Sequence, residues 1–302
     1  MKKILGLLLA ISALTASARD VVTIYYAFSP ADSVANYGRN IAEEANRLQD
    51  KYTFLFDTKP GAGNAVAVNF VKANPNTILF TSSAFFIRPN LYPNESYSLS
   101  EFREIVPFCY GPMAVTSFKY KSWDEVPKDK PLNIGISGLG ATSHLISLQI
   151  VEKYPNMQPI PFKSPSESML GMASGSIDLN VDFISGADTW SRDTVGKQKL
   201  YVLGITGAKT IHGYRPLAQL GFPSILKSMD LPHHMVVPVT TPPEKFNEWR
   251  AILVRAAQTK SVNDAYQVDS CRANVLKDNE LEPWYTNQVE QWRRLTQNVK
   301  IQ

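Results

Sequence analysis

The sequence predicts an α/β protein of two lobes, and three observations carry that reading. Short apolar runs of β type alternate with stretches of helical spacing, and two of the junctions turn on glycine. Two longer apolar segments, with no short helix after them, interrupt the alternation. A chain of 302 residues is long enough for two such units, each with its own core.

In chain order, residues 21–28 read as a strand. Val34, Tyr37, Ile41, Ala45 and Leu48 then mark one face of a helix. Residues 53–56 form the next strand, followed by the turn Lys59-Pro60-Gly61-Ala62-Gly63-Asn64. Val66, Ala67, Phe70 and Val71 belong to a second helix. It stops at Asn74-Pro75, because proline lacks an N–H and its ring clashes with the preceding turn. Residues 77–81 are again a strand. The pattern resumes with a strand over 133–137, continuing into Ser137-Gly138-Leu139-Gly140-Ala141-Thr142-Ser143-His144. The helix after this turn carries Leu145, Leu148, Ile150 and Val151 and ends before Pro155. Residues 200–206 are a late apolar strand.

Strands alternating with helices in this way point to parallel sheets. The segments 105–118 and 234–239 read as crossings between the lobes. The first lobe then takes 19–118 plus 235–302, and the second takes 119–234. Helices over 245–258 and 285–299 pack back on the first lobe.

The N-terminus has a basic start at Lys2 and Lys3, an apolar stretch over 4–14, and the small residues Ala16-Ser17-Ala18. This is the pattern of a secretory signal peptide cut after Ala18, and it is too short to anchor in a membrane. A soluble periplasmic protein, monomeric, is the expectation. The net charge of +4 comes without a block of like charges, which argues against nucleic acid as a partner. Export permits a disulfide between Cys109 and Cys271, but with so long a stretch between them two unpaired buried thiols are the default reading. Neither Cys-x-x-Cys nor His-x-x-x-His occurs, so no metal is expected. No cofactor is expected either.

A strand that turns on glycines into a helix leaves N–H groups without intrahelical partners, and the helix dipole favours an anion there. Ligands of open α/β sheets bind beyond the carboxyl ends of the strands. With one glycine turn on each lobe, a small anion belongs in the cleft between them, with closure on binding. Ser137–Ser143 is read as the main cradle, whereas Pro60–Asn64 serves first as a turn. Of the aromatics Tyr25, Tyr26 and Phe28, only Phe28 is placed at the cleft. Ser143 and His144 invite a hydrolase reading, yet the chain has no Gly-x-Ser-x-Gly elbow and no His-Glu-x-x-His. No enzyme activity is therefore expected.

The order and spacing of several segments resemble the receptors of tripartite tricarboxylate transporters, also called Bug receptors. That family's Asn-x-Pro-Gly-Ala-Gly-Gly segment appears as Thr58-Lys59-Pro60-Gly61-Ala62-Gly63-Asn64, and its Asn-Pro-x-Leu-Tyr as Arg88-Pro89-Asn90-Leu91-Tyr92. Gly-x-x-Gly-x-Gly-Ser-x-x-His-Leu is matched over 135–145, with Ala141 for the first serine, and Val-Pro-Tyr-Lys-Gly becomes Ile160-Pro161-Phe162-Lys163-Ser164. Gly175-Ser176-Ile177-Asp178, the later Asp182, and Val237-Pro238-Val239-Thr240-Thr241-Pro242 complete the series.

The resemblance implies a type II periplasmic-binding-protein fold whose cleft holds a small carboxylate, often a di- or tricarboxylate, through backbone N–H groups and ordered water. It also implies transient docking on integral-membrane permease subunits. A receptor that presents its ligand to a sensor protein has the same signature. The clasping loops carried over are 28–34 and 137–143, which makes Phe28, Ser29, Ala31, Asp32, Ser33, Ser137, Gly138, Gly140, Ala141, Thr142 and Ser143 the expected ligand-binding residues. Asp182 joins them, either orienting ligand water, accepting from a ligand amine, or supporting a neighbouring loop. One departure stands out: the first loop lacks the family's glycines and places Ser29-Pro30-Ala31-Asp32-Ser33 there. Asp32 would repel a second anion unless it faces away, caps a helix or meets an ammonium group.

Overall fold

The structure, a computed structural model, describes residues 19–192, 198–229, 231–268 and 270–299. The signal segment ending at Ala18 lies outside the described residues. One sheet is formed by β1 (Asp20–Tyr26), β2 (Tyr52–Thr58), β3 (Thr77–Ser82), β4 (Phe102–Gly111), β10 (Leu231–Pro238) and β11 (Arg272–Ala273), in the order β11-β4-β10-β3-β1-β2. The other takes β5 (Met113–Ser117), β6 (Leu132–Ile136), β7 (Met157–Pro161), β8 (Leu179–Phe183) and β9 (Tyr201–Ile205), in the order β7-β6-β8-β5-β9.

Every residue of β3 and β10 is buried, as expected of central strands covered on both faces. Helix α1 (Ala35–Leu48) turns Ala35, Tyr37, Ile41 and Ala45 inward. It lies so close to the sheet at Gly38 that a Cβ there would stand 2.4 Å from the Phe56 ring. The other helices are α2 (Ala65–Ala73), α3 (Ala84–Leu91), α4 (Thr142–Lys153), α5 (Pro165–Ala173), α6 (Ile184–Arg192), α7 (Pro243–Ala257), α8 (Lys260–Val268) and α9 (Asp278–Thr296). None of them, among the described residues, is long and apolar enough to cross a membrane.

Two features differ from the sequence-based expectation. The apolar segment 105–118 is not one strand but two, β4 and β5, which belong to different sheets with Pro112 alone between them. The sheets are also mixed, not parallel: β10 runs antiparallel to β3 and β4, and β5 antiparallel to β8 and β9. The cause is the direction of travel. Strands followed by helices point their carboxyl ends at the cleft, and β4 leaves its sheet in that same sense. A strand entering a sheet from the cleft must run the other way, and β5 and β10 are the entering strands.

Cys109 and Cys271 form a disulfide, with Cα atoms 5.6 Å apart, that ties the start of β11 to β4. In the same sheet a fully buried Glu104 on β4 meets His234 on β10, Nδ1 to Oε2 at 2.8 Å.

Candidate functional site

The first loop is organised by Asp32. Its Oδ2 accepts from the Ser29 amide at 3.0 Å and from the Tyr26 hydroxyl at 3.5 Å. Its Oδ1 accepts from the Ser166 amide at 3.0 Å, 134 residues away in the first turn of α5. The carboxylate therefore does not cap its own helix but lies on the N-terminus of a helix from the opposite lobe, where the dipole favours it. Two further loop amides are spent locally, whereas those of Ser33 and Val34 have no acceptor among the described residues. Ala31 N–H donates to Ser29 Oγ, and Asp32 N–H to the Ser29 carbonyl. Ser33 Oγ donates across the cleft to Ser185 Oγ at 2.9 Å.

The second loop is held from within. The Ser143 hydroxyl accepts from the Ser137 amide and shares a hydrogen bond with Ser137 Oγ, both at 2.9 Å. His144 Nδ1 accepts from the Gly140 amide at 3.1 Å, which fixes this nitrogen as unprotonated, and burial pushes the imidazole below its ordinary value. Gly138 and Gly140 have φ of 115° and 78°, the left-handed region that a side chain resists. The Ala141 carbonyl takes the amides of His144 and Leu145. The amides of Thr142 and Ser143, at the start of α4, have no acceptor among the described residues. Ser143 and His144 thus shape a turn, and the hydroxyl does not meet the imidazole.

Opposite this loop stands an element that the sequence reading did not name. After β3 the chain turns directly into α3, and Ser83 Oγ bonds Thr142 Oγ1 at 3.0 Å. Two helix N-termini, one from each lobe, are thereby brought together, and the Ala84 and Phe85 amides also lack acceptors among the described residues. Arg88 on α3 reaches across to the Leu139 carbonyl at 2.8 Å. The two glycine turns touch as well: a Cβ on Gly63 would stand 2.5 Å from the Leu139 oxygen. Only glycine permits the lobes to meet this closely. The signal for α3 was present in the sequence, since the carboxyl end of any strand in such a sheet is a candidate site.

Between these N-termini remains a space of about 10 Å³, bordered by Phe28, Ser82, Ala84, Ala141, Thr142 and Ser143. It holds about one water molecule, so the cleft is shut here. Next to it lies a cavity of about 230 Å³ whose lining includes Ala31, Asp32, Ser33 and Asp182, together with Met169, Leu170 and Trp190. Tyr26 and Pro165 border both spaces, so Tyr26 faces the site as well as the core. Of the expected residues, Phe28, Ser137, Ala141, Thr142 and Ser143 border the small space and Ala31, Asp32, Ser33 and Asp182 the cavity. Ser29, Gly138 and Gly140 line neither, and the two glycines pack against Gly63, Tyr92 and Arg88.

Asp182 is 7% exposed and its Oδ1 accepts from the Phe183 amide at 2.6 Å. Burial, and secondarily the charge of Asp32, push its carboxyl up to about 8. Asp32 is raised to about 6 by burial, against the hydrogen bonds from Ser166, Ser29 and Tyr26. At neutral pH the folded protein thus keeps a proton on Asp182 that an unfolded chain would lose. Stability then falls as pH rises toward 8. Between about pH 6.5 and 8 we expect a loss of about 1 kcal/mol per pH unit, measured by urea unfolding. Asp182→Asn should flatten the slope; a wild-type profile already flat in this window would refute the assignment.

Cys109, His233 and Cys271 form the group among the described residues with metal-ligand spacing, but both sulfurs are joined to each other.

No curated protein matches the chain in sequence. Among solved structures, the periplasmic binding protein BugD superposes with a TM-score of 0.82 at 21% identity, covering 92% of this chain and 97% of its own. An R. palustris protein with adipate gives 0.79 at 16%, covering 93% and 97%. MatC from Rhodopseudomonas palustris with bound malate gives 0.76 at 17%, covering 92% and 99%. At these identities the likeness establishes the two-lobed fold of periplasmic binding proteins. The sequence itself, over residues 38–301, matches the family described as the tripartite tricarboxylate transporter family receptor, and the chain belongs to that family.

Proposed function

We propose that this protein is an extracytoplasmic, non-enzymatic receptor that captures a small carboxylate between its lobes and delivers it to a membrane transporter of the tripartite tricarboxylate type. The observation that carries the reading is the meeting of α3 and α4, whose N-termini bring four amides without acceptors to one place from opposite lobes. Such an arrangement suits a carboxylate without any arginine, since preorganised N–H dipoles hold the charge. Family membership and the adipate and malate carried by similar structures support the same ligand chemistry.

In this reading the lobes divide at Pro112 and ahead of Leu231, and the protein works by opening and closing about those crossings. Phe28, Ser137, Gly138, Gly140 and Ala141 shape the pocket, the Thr142 and Ser143 amides hold the anion, and Asp182 faces the rest of the ligand. The shut cleft is the closed state, from which the lobes part to admit a ligand.

Thermal unfolding against a panel of mono-, di- and tricarboxylates tests this. A true ligand at a hundred times its Kd adds about 2.7 kcal/mol, a rise of roughly 5–10 °C. Thr142→Pro gives a sharper check. Proline fits the first position of a helix, and Ala141 before it is already extended at φ −72°, ψ 165°. The substitution removes one amide and one hydroxyl while keeping α4, and should weaken binding by about tenfold or more. Silence across the panel would defeat the proposal.

A further inference from the structure

The cavity beside the cradle has an unusual charge balance for a protein expected to bind anions. Its lining includes two carboxyl groups, Asp32 and Asp182, and no lysine or arginine among the described residues. Asp32 takes the Ser29 amide of the first loop and the Ser166 amide of α5, so neither is left for a ligand. The protein's own carboxylate thus occupies the position that a second ligand carboxylate would need. Asp182 presents the opposite demand. More than nine-tenths buried, it has its Oδ1 bonded by its neighbour's amide, while Oδ2 has no partner among the described residues. Oδ2 is packed so tightly that a Cβ on Gly186 would stand 2.1 Å from it. Met169, Leu170 and Trp190 make part of the remaining wall apolar, beside Thr189. About 230 Å³ lies below the usual range for drug-sized pockets and suits a short ligand body.

Resting on the carboxylate reading above, we infer that the receptor selects acids with a single carboxylate and rejects those with a second, and that Asp32 is the residue that sets this rule. A ligand whose carboxylate lies at the N-termini of α3 and α4 extends past Tyr26 and Pro165 into the cavity. A second carboxylate there meets Asp32 at close range, finds the Ser166 amide already taken, and faces no compensating cation. Like charges so placed disfavour binding strongly unless a proton is taken up. An apolar end packs against Met169 and Leu170, and an amine or hydroxyl supplies the missing partner of Asp182.

The test is calorimetric titration of the full protein at pH 7.5 with pentanoate, 5-aminopentanoate and glutarate, which share a chain length and differ at the far end. Shorter and longer homologues of each accompany them. The expected result is that the first two classes bind wild type at least about tenfold more tightly than the dicarboxylates. Asp32→Asn, which keeps the shape and one acceptor, should close most of that gap, and Asp32→Gly serves as a second variant if the first fails to fold. Dicarboxylates that bind wild type as tightly as their monocarboxylate partners overturn the selection rule while leaving the carboxylate reading intact. A gap that persists in both variants removes Asp32 from the role. Failure of every acid to bind overturns both.

Discussion

Replacing Cys109 and Cys271 together by alanine is expected to lower the unfolding free energy by about 5 kcal/mol, the largest single effect foreseen for this protein. The bridge closes a loop with a sequence separation of 162, and that loop contains the whole second sheet. Both ends lie in the first lobe: Cys109 is on β4, which leaves it, and Cys271 stands just before β11, which pairs with β4. In the unfolded chain the bond restricts a very long segment, and the chain-entropy argument assigns long loops the greater gain. Both sulfurs are buried, so the alanine pair leaves no thiol or hydroxyl in an apolar setting. Guanidinium unfolding followed by circular dichroism should show the variant and the reduced wild type sharing a lowered midpoint. A midpoint equal to that of the oxidised wild type would contradict the account.

Glu104→Ala is expected to cost about 3–5 kcal/mol. Glu104 and His234 are fully buried, and their 2.8 Å contact joins the two adjacent strands β4 and β10. Burial pushes the Glu104 carboxyl up, while His234, followed by Arg250, draws it down. Removing the carboxylate leaves the His234 Nδ1 in the core without its acceptor, alongside a cavity. His234 stacks on Phe86 at 4.9 Å, so the ring has no way to turn toward water without breaking that packing. Glu104→Gln keeps the volume and one acceptor and should recover part of the loss. Urea midpoints of the two variants decide the matter; a change below about 1 kcal/mol for alanine would refute it.

Helices α1, α2 and α4 were legible because each carries a periodic apolar face, and α2 and α4 also end near a proline, as at Asn74-Pro75. Helices α3, α5 and α6 are nine residues or fewer, and without a glycine turn before them, such as leads into the equally short α2, periodicity does not distinguish them from loops. The N-termini of those three build much of the site, so the sequence reading found Thr142 and Asp182 but not Ser83, Ser166 or Ser185. For Asp32 the sequence exposed the conflict with an anion and left several resolutions open. Its actual partner, Ser166, lies 134 residues away, a distance that no local pattern spans.

What the order of residues determined alone was the alternation of strands and helices, the glycine turns and the family, because these depend on neighbours a few positions apart. What only the tertiary structure decided was the direction of the crossing strands, the union of Cys109 with Cys271, and which amides remain free. These depend on where distant segments come to rest, and a backbone N–H is available to a ligand only when the fold leaves it without an acceptor of its own.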